Sequence, residues 1–141
     1  MLKRTTARGI LFMHNSRGEK CIALIKRIRS NQPEYYVVPG GGVEGNETVF
    51  QTVEREMCEE LGIKCKALEI VERRENATSI DFFILCKYIE GRFGTGTGPE
   101  YNNPIRKIER GQYNPVLVTI EELPKINIVP VDLCKVILKY K

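Results

Sequence analysis

Apolar and polar positions along the chain alternate in short runs before one long helical pattern. Ala7 to His14 reads as a strand with Ile10, Leu11, Phe12 and Met13 at its centre. The turn residues Asn15-Ser16-Arg17-Gly18 follow, and then a second apolar run from Cys21 to Ile28, so the two form a hairpin. Arg29 to Glu34 is polar and contains Pro33, which predicts a loop. Tyr35 to Val38 is a short strand ending at Pro39. Gly40-Gly41-Gly42 and Gly45 are expected to be a flexible connection.

From Glu47 to Leu61 the period changes. Val49, Val53, Met57 and Leu61 recur every four residues, with Phe50 beside them, and Gly62 follows where a left-handed residue closes a helix. Strands are predicted over Lys64 to Arg73, with a weak pattern, over Ile80 to Ile89, and over Pro115 to Ile120. The glycine-rich stretch from Gly91 to Pro99 is expected to be a mobile loop. A terminal helix is expected from Pro130, with Val131, Cys134, Ile137 and Leu138 on its apolar face. Strands before and after one central helix, with a second helix at the end, predict an α/β (α+β) fold: a mixed sheet packed between helices, as one domain over 1–141.

Composition narrows the function classes. A hydrophobic content of 42% with 28% charged residues is that of a globular chain and argues against disorder. The five cysteines are odd in number and include no Cys-x-x-Cys pair, which argues against a disulfide framework or a zinc site and fits a reducing compartment. No apolar run approaches the roughly 20 residues that span a bilayer, and the N-terminus does not read as a signal peptide. A cytoplasmic protein without a membrane partner is therefore expected. The net charge of +4 favours anionic partners without choosing among them.

The chemistry concentrates on the central helix. At roughly 100° per residue, Glu56 and Glu60 stack one above the other and Glu59 lies on the adjoining flank. Like charges at these spacings repel by a few tenths of a kcal/mol when exposed, and by more when buried. A divalent cation reverses that sign. Mg²⁺ prefers carboxylate oxygens and shares its coordination with water and substrate phosphates. A solvated acidic face is the alternative for Glu-x-x-Glu-Glu taken alone.

The surrounding spacing resembles the signature of the Nudix hydrolase family. Over residues 41–63 that signature reads Gly41, Glu47, Arg55-Glu56-Met57-Cys58-Glu59-Glu60-Leu61-Gly62-Ile63, and every defined position agrees. The approach Tyr36-Val37-Val38-Pro39-Gly40-Gly41 is similar as well. The resemblance implies an α/β/α sandwich and Mg²⁺-dependent cleavage of a nucleoside diphosphate linked to another group, with Mn²⁺ as a substitute ion. It implies Glu56 and Glu60 as principal metal ligands, Glu59 as ligand or base, and the Gly40 carbonyl as a further ligand. Arg55 would orient the glutamates, and Glu47 has a structural or catalytic role at the helix start, where its charge suits the dipole.

Outside the signature, Glu100 follows the glycine-rich loop and either binds metal or activates water, as a later-loop glutamate does in several family members, or is a surface residue. Lys26, Arg27 and Arg29 end the second strand. Arg27 aligns best with an arginine that contacts nucleotide phosphate in a related 8-oxo-dGTP-cleaving enzyme, and Arg8 is a weaker candidate. Tyr36, or its neighbour Tyr35, could place a ring beside a base. His14 receives no role. Markers of ADP-ribose, diadenosine polyphosphate and coenzyme A specificity are missing, which leaves a nucleoside triphosphate as the favoured substrate. ADP-sugar or dinucleotide polyphosphate hydrolysis and a non-catalytic nucleotide-binding module remain alternatives. RNA processing is a further rival, but no basic run with interleaved aromatics supports it. A homodimer is left open.

Overall fold

The structure is a computed structural model that describes residues 2–97 and 111–141. Among these lie seven strands: β1 (Arg4–His14), β2 (Lys20–Ile28), β3 (Tyr35–Val37), β4 (Gly40–Gly42), β5 (Ile63–Glu75), β6 (Ser79–Gly91) and β7 (Gln112–Thr119). Two α-helices, α1 (Val49–Leu61) and α2 (Leu133–Tyr140), complete the fold with a short 3₁₀ turn at Leu123–Lys125.

The strand order is β3-β2-β1-β6-β5, with β4 added to β1 and β7 added to β2. β1 changes partner along one edge. Thr6–Arg8 pair with Gly42–Gly40 of β4, whereas Phe12–His14 pair with Ile22–Lys20 of β2. Its other edge runs parallel to β6 from Arg4 to Leu11. The sheet therefore splits into a wedge between β4/β1 and β2/β3, and Val38-Pro39 carries the chain from one side to the other.

Helix α1 covers one face. Val53, Met57 and Leu61 bury completely against Ala7, Leu11, Ile25 and Ile84. Gly9 makes this close approach feasible, since a Cβ there would stand 2.8 Å from the Met57 methyl. Phe50, expected beside the stripe, is 37% exposed at the margin. Thr48 caps the helix in a reciprocal box with Gln51, and Gly62 ends it with φ of 75°. Leu133 and Ile137 of α2 cover the opposite face against Ile10, Leu24 and Phe83. Two helical layers enclose a mixed sheet, as expected.

Three details differ from expectation. The glycine run is not a flexible link but strand β4, because residues without side chains can lie against the backbone of Ala7 and Arg8. The last helix begins at Leu133 and not at Pro130, which leaves Val131 80% exposed and off the apolar face. Of the stretch expected to be a mobile loop, Gly98 and Pro99 lie outside the described residues; before them the Gly94 N–H donates to the Leu61 carbonyl at 2.9 Å and Phe93 packs on the first core, so this part closes the C-terminal end of α1. The weak pattern of β5 also has a cause: register shifts at three points against β6 break its alternation.

Candidate active site

The wedge opens into a cleft of about 870 Å³. Gly40, Gly41 and Gly42 line it together with Glu56, Glu59 and Glu60 from α1. Arg8, Arg27, Tyr35 and Tyr113 lie on its walls. A second hollow of about 570 Å³, lined by Phe12, His14, Leu68 and Tyr88 among others, holds none of these glutamates.

Glycines set the depth of the cleft. A Cβ on Gly41 would stand 2.5 Å from Glu56 Oε1, so the carboxylate lies directly against the β4 backbone. A Cβ on Gly40 would meet the Ala7 carbonyl oxygen at 2.2 Å, and its φ of 156° also disfavours a side chain. Glycine at position 40 is a packing requirement of the backbone, and glycine at position 41 leaves room for the Glu56 carboxylate.

The acids are gathered around one guanidinium. Arg55 donates from Nε to Glu47 Oε2 at 2.8 Å and from Nη2 to Glu47 Oε1 at 3.0 Å. Its Nη1 donates to Glu56 Oε1 at 3.0 Å and to Glu59 Oε2 at 3.3 Å, and Nη2 also reaches the Gly42 carbonyl at 3.2 Å. Glu44 Oε2 is 3.8 Å from Nη2. The Arg55 hydrogen bond, and then the Glu44 N–H, lower the Glu47 carboxyl to about pKa 2. Glu47 in turn raises Arg55. Glu56 behaves oppositely: burial is the main cause of its raised pKa, opposed by the Arg55 charge and reinforced by Glu59.

These residues have the chemistry of a hard-cation site. Glu56 is 8% and Glu60 5% exposed, and the two carboxyls are in hydrogen-bonding contact. Three glutamates of the signature, Glu47, Glu56 and Glu59, share one arginine, and buried Glu60 adds a fourth carboxyl beside them, so negative charge is in excess where it is least solvated. Among the described residues, no three His, Cys, Asp or Glu side chains converge in metal-holding geometry. Arg55 occupies the gap between Glu56 and Glu59 instead. Seating an ion therefore requires these carboxylates to turn toward the cleft, which the half-exposed Glu59 can do most easily.

A family model for NUDIX domains matches residues 3–131, nearly the whole chain. The chain belongs to the Nudix family. It is a Nudix-type pyrophosphohydrolase, in a family whose members use divalent metals and act on small nucleotides. A search of curated proteins finds no match. Among solved structures, it is similar to MutT from the fish pathogen Aliivibrio salmonicida and from Vibrio cholerae, with TM-score 0.68 and 20% identity over 99% of this chain and 100% of that one. An ADP-ribose pyrophosphatase from Streptococcus suis gives TM-score 0.67 at 16% identity, over 99% and 92% of the two chains. A NUDIX hydrolase from Nitrosomonas europaea gives 0.71 at 16%, over 99% and 72%. At these identities the likeness is one of fold.

Within this Nudix cleft, Glu56, Glu59, Glu60, Gly40, Arg27 and Arg8 come together as wall residues, while Arg55 and Glu47 stand behind the glutamates. Tyr36 is a correction. Strand alternation turns it to the opposite face, where it packs on the second core with Lys26 Nζ 6.0 Å from its ring, and Tyr35 takes the cleft wall. Glu100 lies outside the described residues. Sequence reasoning missed Tyr113, whose only available signal was its register opposite Arg27 in β7. No helix among the described residues is long and apolar enough to cross a membrane.

Proposed function

We propose that this Nudix domain is a Mg²⁺-dependent enzyme that hydrolyses the diphosphate linkage of a nucleoside triphosphate. One observation carries the reading: buried Glu56 and Glu60 open into the same cleft as the cationic wall of Arg8 and Arg27. An anionic chain crossing that cleft meets acids on one side and guanidinium groups on the other. Only an intervening cation makes such a passage favourable near the acids.

In this reading Glu56 and Glu60 hold Mg²⁺, with Glu59 and the Gly40 carbonyl completing the set. When bound, the ion neutralises phosphate charge and lowers the pKa of a nearby water. Glu59, the most exposed of the three, accepts the proton of the attacking water. The new bond joins the water oxygen to a phosphorus, and the anhydride P–O bond breaks, with the electron pair leaving on the second phosphate. Arg55 fixes the carboxylate positions, and Glu47 fixes Arg55. Arg27 and Arg8 hold phosphate oxygens. The Tyr35 ring lies on the wall where a base can rest. Glu100 retains its candidacy for metal or water contact.

The test is a panel of nucleoside triphosphates, nucleotide sugars, ADP-ribose and dinucleotide polyphosphates with Mg²⁺ and with Mn²⁺, run on the parent, Glu56→Gln and Glu60→Gln. Triphosphates should be the best substrates, and each substitution should lower turnover on the order of 10²–10³-fold. Full Mg²⁺-dependent activity in both variants would overturn the reading.

A further inference from the structure

We propose that Tyr113 is a positioning residue for substrate, stacking on Arg27 so that its guanidinium is held ready for an anionic phosphate group. The proposal rests on the nucleotide reading of the cleft and adds to it a residue outside the signature. Arg27 sits at the centre of a three-strand register. Tyr35 of β3 is its direct partner on one side, and Tyr113 of β7 is its direct partner on the other. Its Cζ lies 3.6 Å from the Tyr113 ring centroid and 5.9 Å from that of Tyr35. The first distance is a close stack. The second is a peripheral contact that closes the opposite side.

Burial makes the stack consequential. Arg27 is only 7% exposed, although it lies one residue from the end of β2 and lines the cleft. A cation in that position is poorly solvated, and the negative face of the Tyr113 ring compensates part of that loss. Tyr113 is itself packed on the first core beneath α1, so the ring is a fixed surface. Stacking covers the face of a guanidinium and leaves its N–H groups to donate in the plane, the geometry that matches two oxygens of one phosphate. An arginine without the ring would have to order its long side chain at each binding event. The expected signature is thus an effect on binding that does not reach the chemical step.

The experiment compares Tyr113→Leu, Tyr113→Phe, Arg27→Lys and the Tyr113→Leu/Arg27→Lys double variant. The probes are the nucleoside triphosphate that the parent turns over best, and inorganic pyrophosphate as competitive inhibitor. Tyr113→Leu should raise KM and the pyrophosphate inhibition constant about tenfold, with kcat within about twofold. Tyr113→Phe keeps the ring and should hold all three values within about twofold of the parent. Once Arg27 is Lys, adding Tyr113→Leu should change KM by less than about twofold, because the stacked fork is already lost. Unchanged KM in Tyr113→Leu, equal losses in kcat and kcat/KM, or full additivity with Arg27→Lys would overturn the proposal. Should Tyr113→Leu fail to fold, an unaltered pyrophosphate inhibition constant in Arg27→Lys overturns it alone. A failure here with Glu56→Gln inactive refutes only the Tyr113 role, whereas an active Glu56→Gln refutes the underlying reading.

Discussion

Arg55 and Glu47 meet fork to fork, with Nε to Oε2 at 2.8 Å and Nη2 to Oε1 at 3.0 Å. The pair joins the approach to α1, just before its Thr48 cap, to the second turn of the helix. Because two parallel bonds fix the plane of the guanidinium, the remaining Nη1 is aimed at Glu56 and Glu59. Glu47, which does not itself line the cleft, thus acts through Arg55 on the orientation of Glu56 and Glu59, which do.

That pairing predicts an acid dependence. The folded Glu47 carboxyl titrates at about 2 against an ordinary value of 4.5, so its contribution is fully present above pH 4.5. It is lost as the pH falls from that value toward 2. Glu75 beside Lys3, and Asp132 beside Arg74, are also lowered and add to the same trend. Glu47→Gln should be less stable than the parent at pH 7 and should lose less of its melting temperature across that window. Thermal melts from pH 7 to pH 2 check this. Parallel curves for the two proteins would contradict it.

The glycines of β4 predict two different failures. At Gly41 an added methyl meets the end of the Glu56 side chain at 2.5 Å, which can swing away. Gly41→Ala should therefore fold normally but lose turnover by about 10²-fold, through displacement of that carboxylate. At Gly40 the obstacle is the Ala7 carbonyl at 2.2 Å, on a strand that cannot yield. Gly40→Ala should cost on the order of 1–3 kcal/mol of stability. Denaturant titration and steady-state rates on the two variants separate the cases, and a reversed pattern would show that β4 is placed wrongly.

The same glycines mark how far the sequence could be read. The α1 stripe and the Glu56/Glu60 stack follow from helical period alone, and both appear where expected because α1 is long and regular. The Nudix spacing supplied Arg55 as the residue that orients the acids and Glu47 as a residue of the helix start, but not the bonding of the one to the other. Strand faces were harder to assign. Three bulges in β5 hide its alternation, and a three-residue strand such as β3 contains too little pattern to show which of Tyr35 and Tyr36 faces the cleft. Tyr113 was beyond local reading, since its partner Arg27 is distant in sequence and only the β2–β7 register brings them together. The glycine run was misread because Gly-rich composition signals flexibility equally well as close backbone approach.

Metal binding should also be visible without turnover. In the parent, Arg55 supplies the nearest positive charge to Glu56 and Glu59, and Glu60 stays buried beside them. An ion bound among these carboxylates stabilises the folded state by about 2.7 kcal/mol when its free concentration is a hundred times Kd. For a chain of this size that is a rise of about 5–10 °C in Tm. Glu60→Gln should remove most of the rise with Mg²⁺, and Glu56→Gln should do the same. Glu69→Gln, on the exposed side of β5, should keep it. Differential scanning fluorimetry with and without Mg²⁺ makes the comparison, using Na⁺ at matched ionic strength as the blank. An equal Mg²⁺ response in all four proteins would move the ion away from α1, since a site built elsewhere has no reason to sense the loss of one buried charge on this helix.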